Sequence, residues 1–208
     1  MPEHQTRRIV QAAVMTALAG YADAIGYAQS TSLFVSFMSG NSTSFGAALV
    51  AGDHHMALIL SAVILAFVCG AILGGVLTAL CLRPSRPVLT AQIVILTVAA
   101  VTLATQDPVP GLIVLALAMG LQNSLAFTLR GAGLGKSFVT GSLVGFGQGL
   151  GRAIMARRLE QGVLLDGLWW LIFIAGVVAG SIAAHALGAA ASVALAIAPV
   201  FILYLAET

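Results

Sequence analysis

Residues 36–41 read Ser36-Phe37-Met38-Ser39-Gly40-Asn41, and the chain returns to this pattern as Ser137-Phe138-Val139-Thr140-Gly141-Ser142. The match continues through Phe45-Gly46 against Phe146-Gly147 at the same offset of 101 residues. Upstream, Gly20 and Asp23 align with Gly120 and Asn123 at an offset of 100. Downstream, Phe67, Gly70 and Gly74 align with Phe173, Gly176 and Gly180 at an offset of 106. Three matches in one order, with an offset that grows as small loop insertions would make it grow, indicate an internal duplication. The halves span residues 9–105 and 111–206 of a single domain covering 1–208.

The surroundings of these blocks identify the solvent. The chain of 208 residues is 60% apolar and 8% charged, and its mean hydropathy is +1.05. Soluble domains carry about a quarter charged residues. Apolar runs of about 18 or more residues recur along the whole length, as in membrane helices. Four segments fall in the first half, about 9–30, 32–51, 56–82 and 88–105. Four more fall in the second, about 111–130, 134–152, 163–187 and 189–206. Arg83-Pro84-Ser85-Arg86-Pro87 and Gln106-Asp107-Pro108-Val109-Pro110 are connections, because paired prolines stop helices. Arg7-Arg8 followed by an apolar run to Ala19 imitates a cleavable signal, but the run continues without a break into the repeat, so a retained first helix is expected.

Charge placement sets the expected topology. If all eight segments crossed with the N-terminus inside, Arg83, Arg86, Arg130 and Lys136 would lie outside. If the second segment of each half enters and leaves on one side, all nine basic residues fall inside, and Asp53 and Asp107 fall outside. The positive-inside rule favours the second arrangement. The expected fold is therefore an all-α membrane protein of six transmembrane helices plus two re-entrant or broken helices, with seven or eight full crossings as the alternative. Three crossings per half invert the second half relative to the first, the plan of many transporters. Both termini are expected in the cytoplasm of a bacterium, with the protein in its inner membrane.

Asp23 is the carboxylate inside the first apolar run. Such a group costs about 2.5–3.5 kcal/mol on insertion scales and so faces protein or a wet cavity. It lies about 21 Å along a helix counted from Ile9, and Asn123 lies about 18 Å along one counted from Gly111. These are near mirror positions. The re-entrant tips bring Gly40 towards Gly141, and irregular backbone at that depth is tolerated only where it is buried or lines a cavity. The expected substrate- or ion-binding set is Asp23, Ser39, Gly40, Asn41, Thr43, Gln122, Asn123, Thr140, Gly141 and Ser142. Gly70, Gly74, Gly176 and Gly180 are expected on helix-packing faces, because small residues allow backbones to approach.

Gly20-x-x-Asp23-Ala24 followed by Phe37-Met38-Ser39-Gly40-Asn41-Ser42 resembles the signature of the YoaK-like family of bacterial integral membrane proteins, a domain of unknown function. The resemblance covers nearly the whole chain; Met38-Ser39 departs from it, since a threonine more often precedes the glycine. It implies a multi-pass membrane protein in which Asp23, Gly40 and Asn41 matter, and it implies no substrate.

A carboxylate at depth favours a coupled carrier over a passive pore, since it can hold a proton or a cation. The expected function is a small-solute secondary transporter, proton-linked through Asp23. A channel, or a structural or sensory membrane protein in which Asp23 only bonds a neighbouring helix, are the alternatives. Ser39 or Ser142 with His185 has the residue types of an intramembrane protease. The Gly-x-Ser-Gly element is absent, however, and His185 falls at the edge of its segment, so no enzyme is expected. Cys69 and Cys81 lie twelve residues apart, about 18 Å on a helix, which is too far for a disulfide. No metal or cofactor is expected. The expected partners are the lipid bilayer, an unidentified solute and protons, with no nucleic acid; the glycine faces are also compatible with a homo-oligomer.

Overall fold

The computed structural model describes residues 3–29, 33–81, 85–130, 138–158 and 161–207. Lys136, Ser137 and Arg83 lie outside that range. Among the described residues the regular structure is all helical, in the order α1 (Glu3–Gln29), α2 (Met38–Ala51), α3 (His54–Leu80), α4 (Ser85–Leu103), α5 (Val109–Arg130), α6 (Phe138–Ala156) and α7 (Gln161–Ala206). α7 is broken at Gly188, whose φ of 78° and ψ of 168° belong to no helix. Its arms, residues 161–187 and 189–206, match the last two apolar runs of the sequence. Four helices are long and apolar enough to cross a membrane, counting α7 as one, and α5 adds a shorter apolar stretch, Val109–Leu125.

The second apolar run behaves differently from the others. Its first residues do not form helix: Leu33 to Phe37 are irregular, and α2 starts only at Met38. The fourteen residues of α2 span about 21 Å, short of the roughly 30 Å hydrocarbon core. Gly52 ends it in the left-handed conformation, φ 72°, where a side chain would be strained, and its amide donates to the carbonyls of Ala48 and Leu49. Asp53 then caps α3, its side chain accepting from the Met56 amide at 2.9 Å.

Helices pack in pairs that link distant parts of the chain. α1 lies against α7 and α3 against α5, while α4 contacts both α5 and α7. α2 rests on α3, and α6 rests on α7. Glycines make the two main pairs close. A Cβ at Gly20 would run into the carbonyl oxygen of Phe173, and one at Gly120 into that of Phe67. Gly70 meets the Leu117 carbonyl, and Gly176 that of Ala17. Gly74 meets Ser124 and Leu121, and Gly180 meets Tyr21. Without a hydrophobic drive between helices in lipid, such close backbone contact supplies the packing energy. The buried core runs through α1, α4, α5 and the last arm of α7, around Met15, Ile25, Leu89, Leu96, Leu115, Met119 and Val193. The outer face of α3 instead exposes Leu58, Leu65, Ile72, Val76 and Leu80, as a lipid-facing helix does.

Three contacts gather at one end of the bundle. Arg7 pairs with Glu207 at 3.3 Å, and Gln11 donates to the same carboxylate at 3.0 Å. The Arg86 guanidinium lies 5.7 Å from the centre of the Tyr204 ring. The start of α1, the start of α4 and the end of α7 therefore share that end. Deeper in, the Tyr21 hydroxyl donates to the Ser192 carbonyl at 2.8 Å, which fixes α1 antiparallel to the last arm of α7.

Candidate functional site

Asp23 is buried, and its carboxylate faces the irregular segment 33–37 rather than another helix. Oδ1 accepts from the amides of Val35 at 2.9 Å and Ser36 at 2.6 Å. Oδ2 accepts from the Ser36 hydroxyl at 2.6 Å, and the Phe37 amide also points at the group. Asn41 holds the same segment from the other side. Its Oδ1 accepts from the Phe34 amide at 2.9 Å and its Nδ2 donates to the Phe34 carbonyl at 2.6 Å. Two side chains thus take up backbone groups that neither helix nor sheet provides for, which is what lets an irregular stretch persist inside a membrane protein.

Beside this knot lies a cavity of about 630 Å³. Asp23, Ser39, Gln122, Asn123 and Thr140 all line it, so half of the expected binding set is brought together from α1, α2, α5 and α6. Met38 and Ser39 present the first turn of α2, and Val139 and Thr140 that of α6. Gln122 is held in a buried chain: Gln92 donates to its Oε1 at 2.7 Å, and its own Nε2 donates to the Met15 carbonyl at 2.9 Å. One N–H of Gln122 and one lone pair of its oxygen remain for a ligand. Asn123 bonds back to the Met119 carbonyl at 2.9 Å.

The rest of the expected set lies near the cavity without lining it. Gly40 sits in the first turn of α2 under the Phe37 and Phe34 rings. Asn41 is buried behind the wall it ties. Thr43 is exposed, with its hydroxyl on the Ser39 carbonyl at 3.0 Å. Gly141 and Ser142 lie in the first turns of α6; Ser142 is buried. Gly70, Gly74, Gly176 and Gly180 sit at the helix contacts described above.

The sequence reading missed Ser36 as a partner of Asp23, the Gln92–Gln122 pair, and the aromatic wall of Tyr27, Phe34, Phe37, Phe67 and Phe173. Tyr27 stacks on Phe34 with ring centres 5.9 Å apart, and Phe34 meets Phe37 edge-on at 5.4 Å. The available signal was position: Phe67 and Phe173 align at an offset of 106 residues, Phe37 lies in the quoted pattern and Phe34 just before it.

No solved structure matches this chain. A UPF0700 transmembrane protein of Rhizobium meliloti (strain 1021) is 34% identical over 170 residues, 82% of this chain and 73% of that protein. Residues 11–206 match the family described as "Protein of unknown function (DUF1275)", of which the YoaK-like proteins are members. The chain is a multi-pass membrane protein belonging to the DUF1275 family.

Proposed function

We propose that the protein is a small-solute secondary transporter of a bacterial inner membrane, with Asp23 as its coupling group. The observation that carries this reading is the cavity, which is walled at once by a buried carboxylate and by the first turns of two helices, α2 and α6. Helix starts at a midplane cavity are a recurring device of carriers.

The proposed frame is six crossings and two half-helices arranged as two inverted halves, with both termini in the cytoplasm. The glycine contacts support it. Gly20 on Phe173 and Gly120 on Phe67 are the same contact shifted by 100 and 106 residues, and so are Gly176 on Ala17 and Gly70 on Leu117. Arg7, Arg86 and Glu207 at one end also support six crossings, since eight would put Arg86 opposite the termini.

A second reading has one observation in its favour. The hydrogen bonds from Val35 and Ser36 tie Asp23 to segment 33–37, as a purely structural clamp would require. Cysteines at Ser39 and Thr140 separate the readings. In a carrier, their reaction with an impermeant thiol reagent shifts from one side of the membrane to the other when the pH gradient is reversed. Labelling of both from both sides at once would indicate a pore. Labelling indifferent to the gradient would support the clamp.

A further inference from the structure

Among the described residues, Asp23 is the one charged group on the cavity wall. From α1 it receives Asp23 and the Tyr27 phenol; from α3 only Phe67; from α5 Gln122 and Asn123; and from α7 Ser181 beside apolar groups. α2 and α6 contribute Ser39 and Thr140. No lysine, arginine or histidine is among these described lining residues. A buried charge is stable only when paired, and among the described residues no lining side chain supplies the positive partner. The dipole of α2 offsets about half a charge at most. The site is completed either by a proton on Asp23 or by a cation in the cavity.

The shape and chemistry of the wall select among cations. A metal ion or primary ammonium replaces its hydration shell with several oxygen ligands. The Asp23 oxygens, however, already accept from Val35, from Ser36 twice, and face the Phe37 amide. Five aromatic rings surround the remaining space, and ring faces attract weakly hydrated cations that need no hydrogen bond. A volume of about 630 Å³ is in the range of drug-sized ligands. We infer that the cavity beside Asp23 takes a bulky, weakly hydrated organic cation, such as a quaternary ammonium or phosphonium with aromatic substituents, in exchange for a proton on that carboxyl. This deepens the transport reading and rests on it for calling the cavity a substrate site. When the cation enters, the carboxyl O–H bond breaks, its electron pair stays on Asp23 and the proton leaves to water. The Ser36 hydroxyl, which donates to the carboxylate, turns to accept from the carboxylic acid in the other state.

The test compares tetraphenylphosphonium with tetraphenylborate, which are alike in shape and opposite in charge. Binding is measured on the full chain in nanodiscs of zwitterionic lipid, with empty nanodiscs subtracted. Saturable binding of the phosphonium alone is expected, with one proton released per cation, read from the buffer dependence of the calorimetric heat. Affinity rises with pH, by up to about tenfold per unit where Asp23 titrates. Asp23→Asn should weaken binding tenfold or more. Phe173→Ala, far in sequence from segment 33–37, should weaken it several-fold without loosening that segment. Equal binding of the borate, no saturable phosphonium binding, or binding without proton release overturns the inference. Gradient-dependent thiol labelling in a protein that ignores the phosphonium leaves the transport reading standing and removes this one. Phosphonium binding without such labelling does the reverse.

Discussion

The Asn41 carboxamide forms a two-bond ring with the backbone of Phe34, accepting from its amide at 2.9 Å and donating to its carbonyl at 2.6 Å. It stands in for a neighbouring strand. Asp23 performs the same service for Val35 and Ser36, so one short irregular segment is tied by one residue before it and one after it. Asn41→Ala leaves both Phe34 groups unpaired at about 1–3 kcal/mol each. The variant should unfold at lower temperature in detergent, and cysteines placed at 33–37 should become more reactive. Unchanged melting and reactivity would mean that the ring carries no weight.

The glycine contacts predict a sharp contrast among chemically identical changes. Gly70→Ala and Gly176→Ala set a methyl against a backbone carbonyl, and neither helix can yield without moving the other. Overpacking costs about 1–3 kcal/mol, so both variants should lose monodisperse protein on gel filtration. Gly46→Ala and Gly147→Ala, with nothing within 4 Å, should behave as the parent. Gly188→Ala forms a separate case, since its space is open but φ 78°, ψ 168° lies in a region essentially reserved for glycine. That strain is worth about 1–3 kcal/mol and should lower the melting temperature without changing oligomeric state. Equal tolerance at all five positions would remove close backbone approach as the basis of packing.

Much of this arrangement could be read from the sequence, because apolar length and proline breaks are strong signals. The arms of α7 and the ends of α3 came close to the expected segments. The start of the second segment did not. Leu33-Phe34-Val35 is apolar and unbroken by glycine or proline, so it reads as helix. What keeps it irregular is bonding from Asp23 and Asn41, and a partner backbone leaves no mark on sequence. Asp23, Ser39, Gln122, Asn123 and Thr140 were legible because a polar residue in lipid needs a reason, while Ser36 and Ser181, also on the cavity wall, were not singled out for the site. The aromatic wall was not, because an apolar side chain is equally at home facing lipid or facing a cavity, and the contrast that sorts inside from outside in water is missing.

The end-on cluster of Arg7, Arg86 and Glu207 makes topology testable at few sites. Single cysteines at positions 53 and 107 should react with an impermeant reagent from the periplasm. Those at 86 and 157 should react only after the membrane is opened. Periplasmic labelling at 86 would rule out the six-crossing frame and with it the inverted halves.

Asp23→Asn tests the coupling role most directly, because it separates holding segment 33–37 from changing charge. The remaining Oδ1 can still accept from Val35 and Ser36, and the new amide can donate to a rotated Ser36 hydroxyl. The variant also sheds the insertion cost of about 2.5–3.5 kcal/mol, so it should express and melt at least as well as the parent. It copies Asn123, which aligns with Asp23 at an offset of 100 residues. Fixed neutral, it can neither release a proton nor face a cation, so gradient-driven movement should disappear while the fold remains. Asp23→Glu should retain part of the activity with a displaced pH profile. Ser36→Ala should fall between them: one donor to Oδ2 is lost, along with the hydroxyl that accepts from the protonated state. If Asp23→Asn still alternates Ser39 and Thr140 labelling with the pH gradient, Asp23 is a clamp and the coupling proton sits elsewhere. If Asp23→Asn instead melts well below the parent, the charge itself holds segment 33–37 and the structural reading gains.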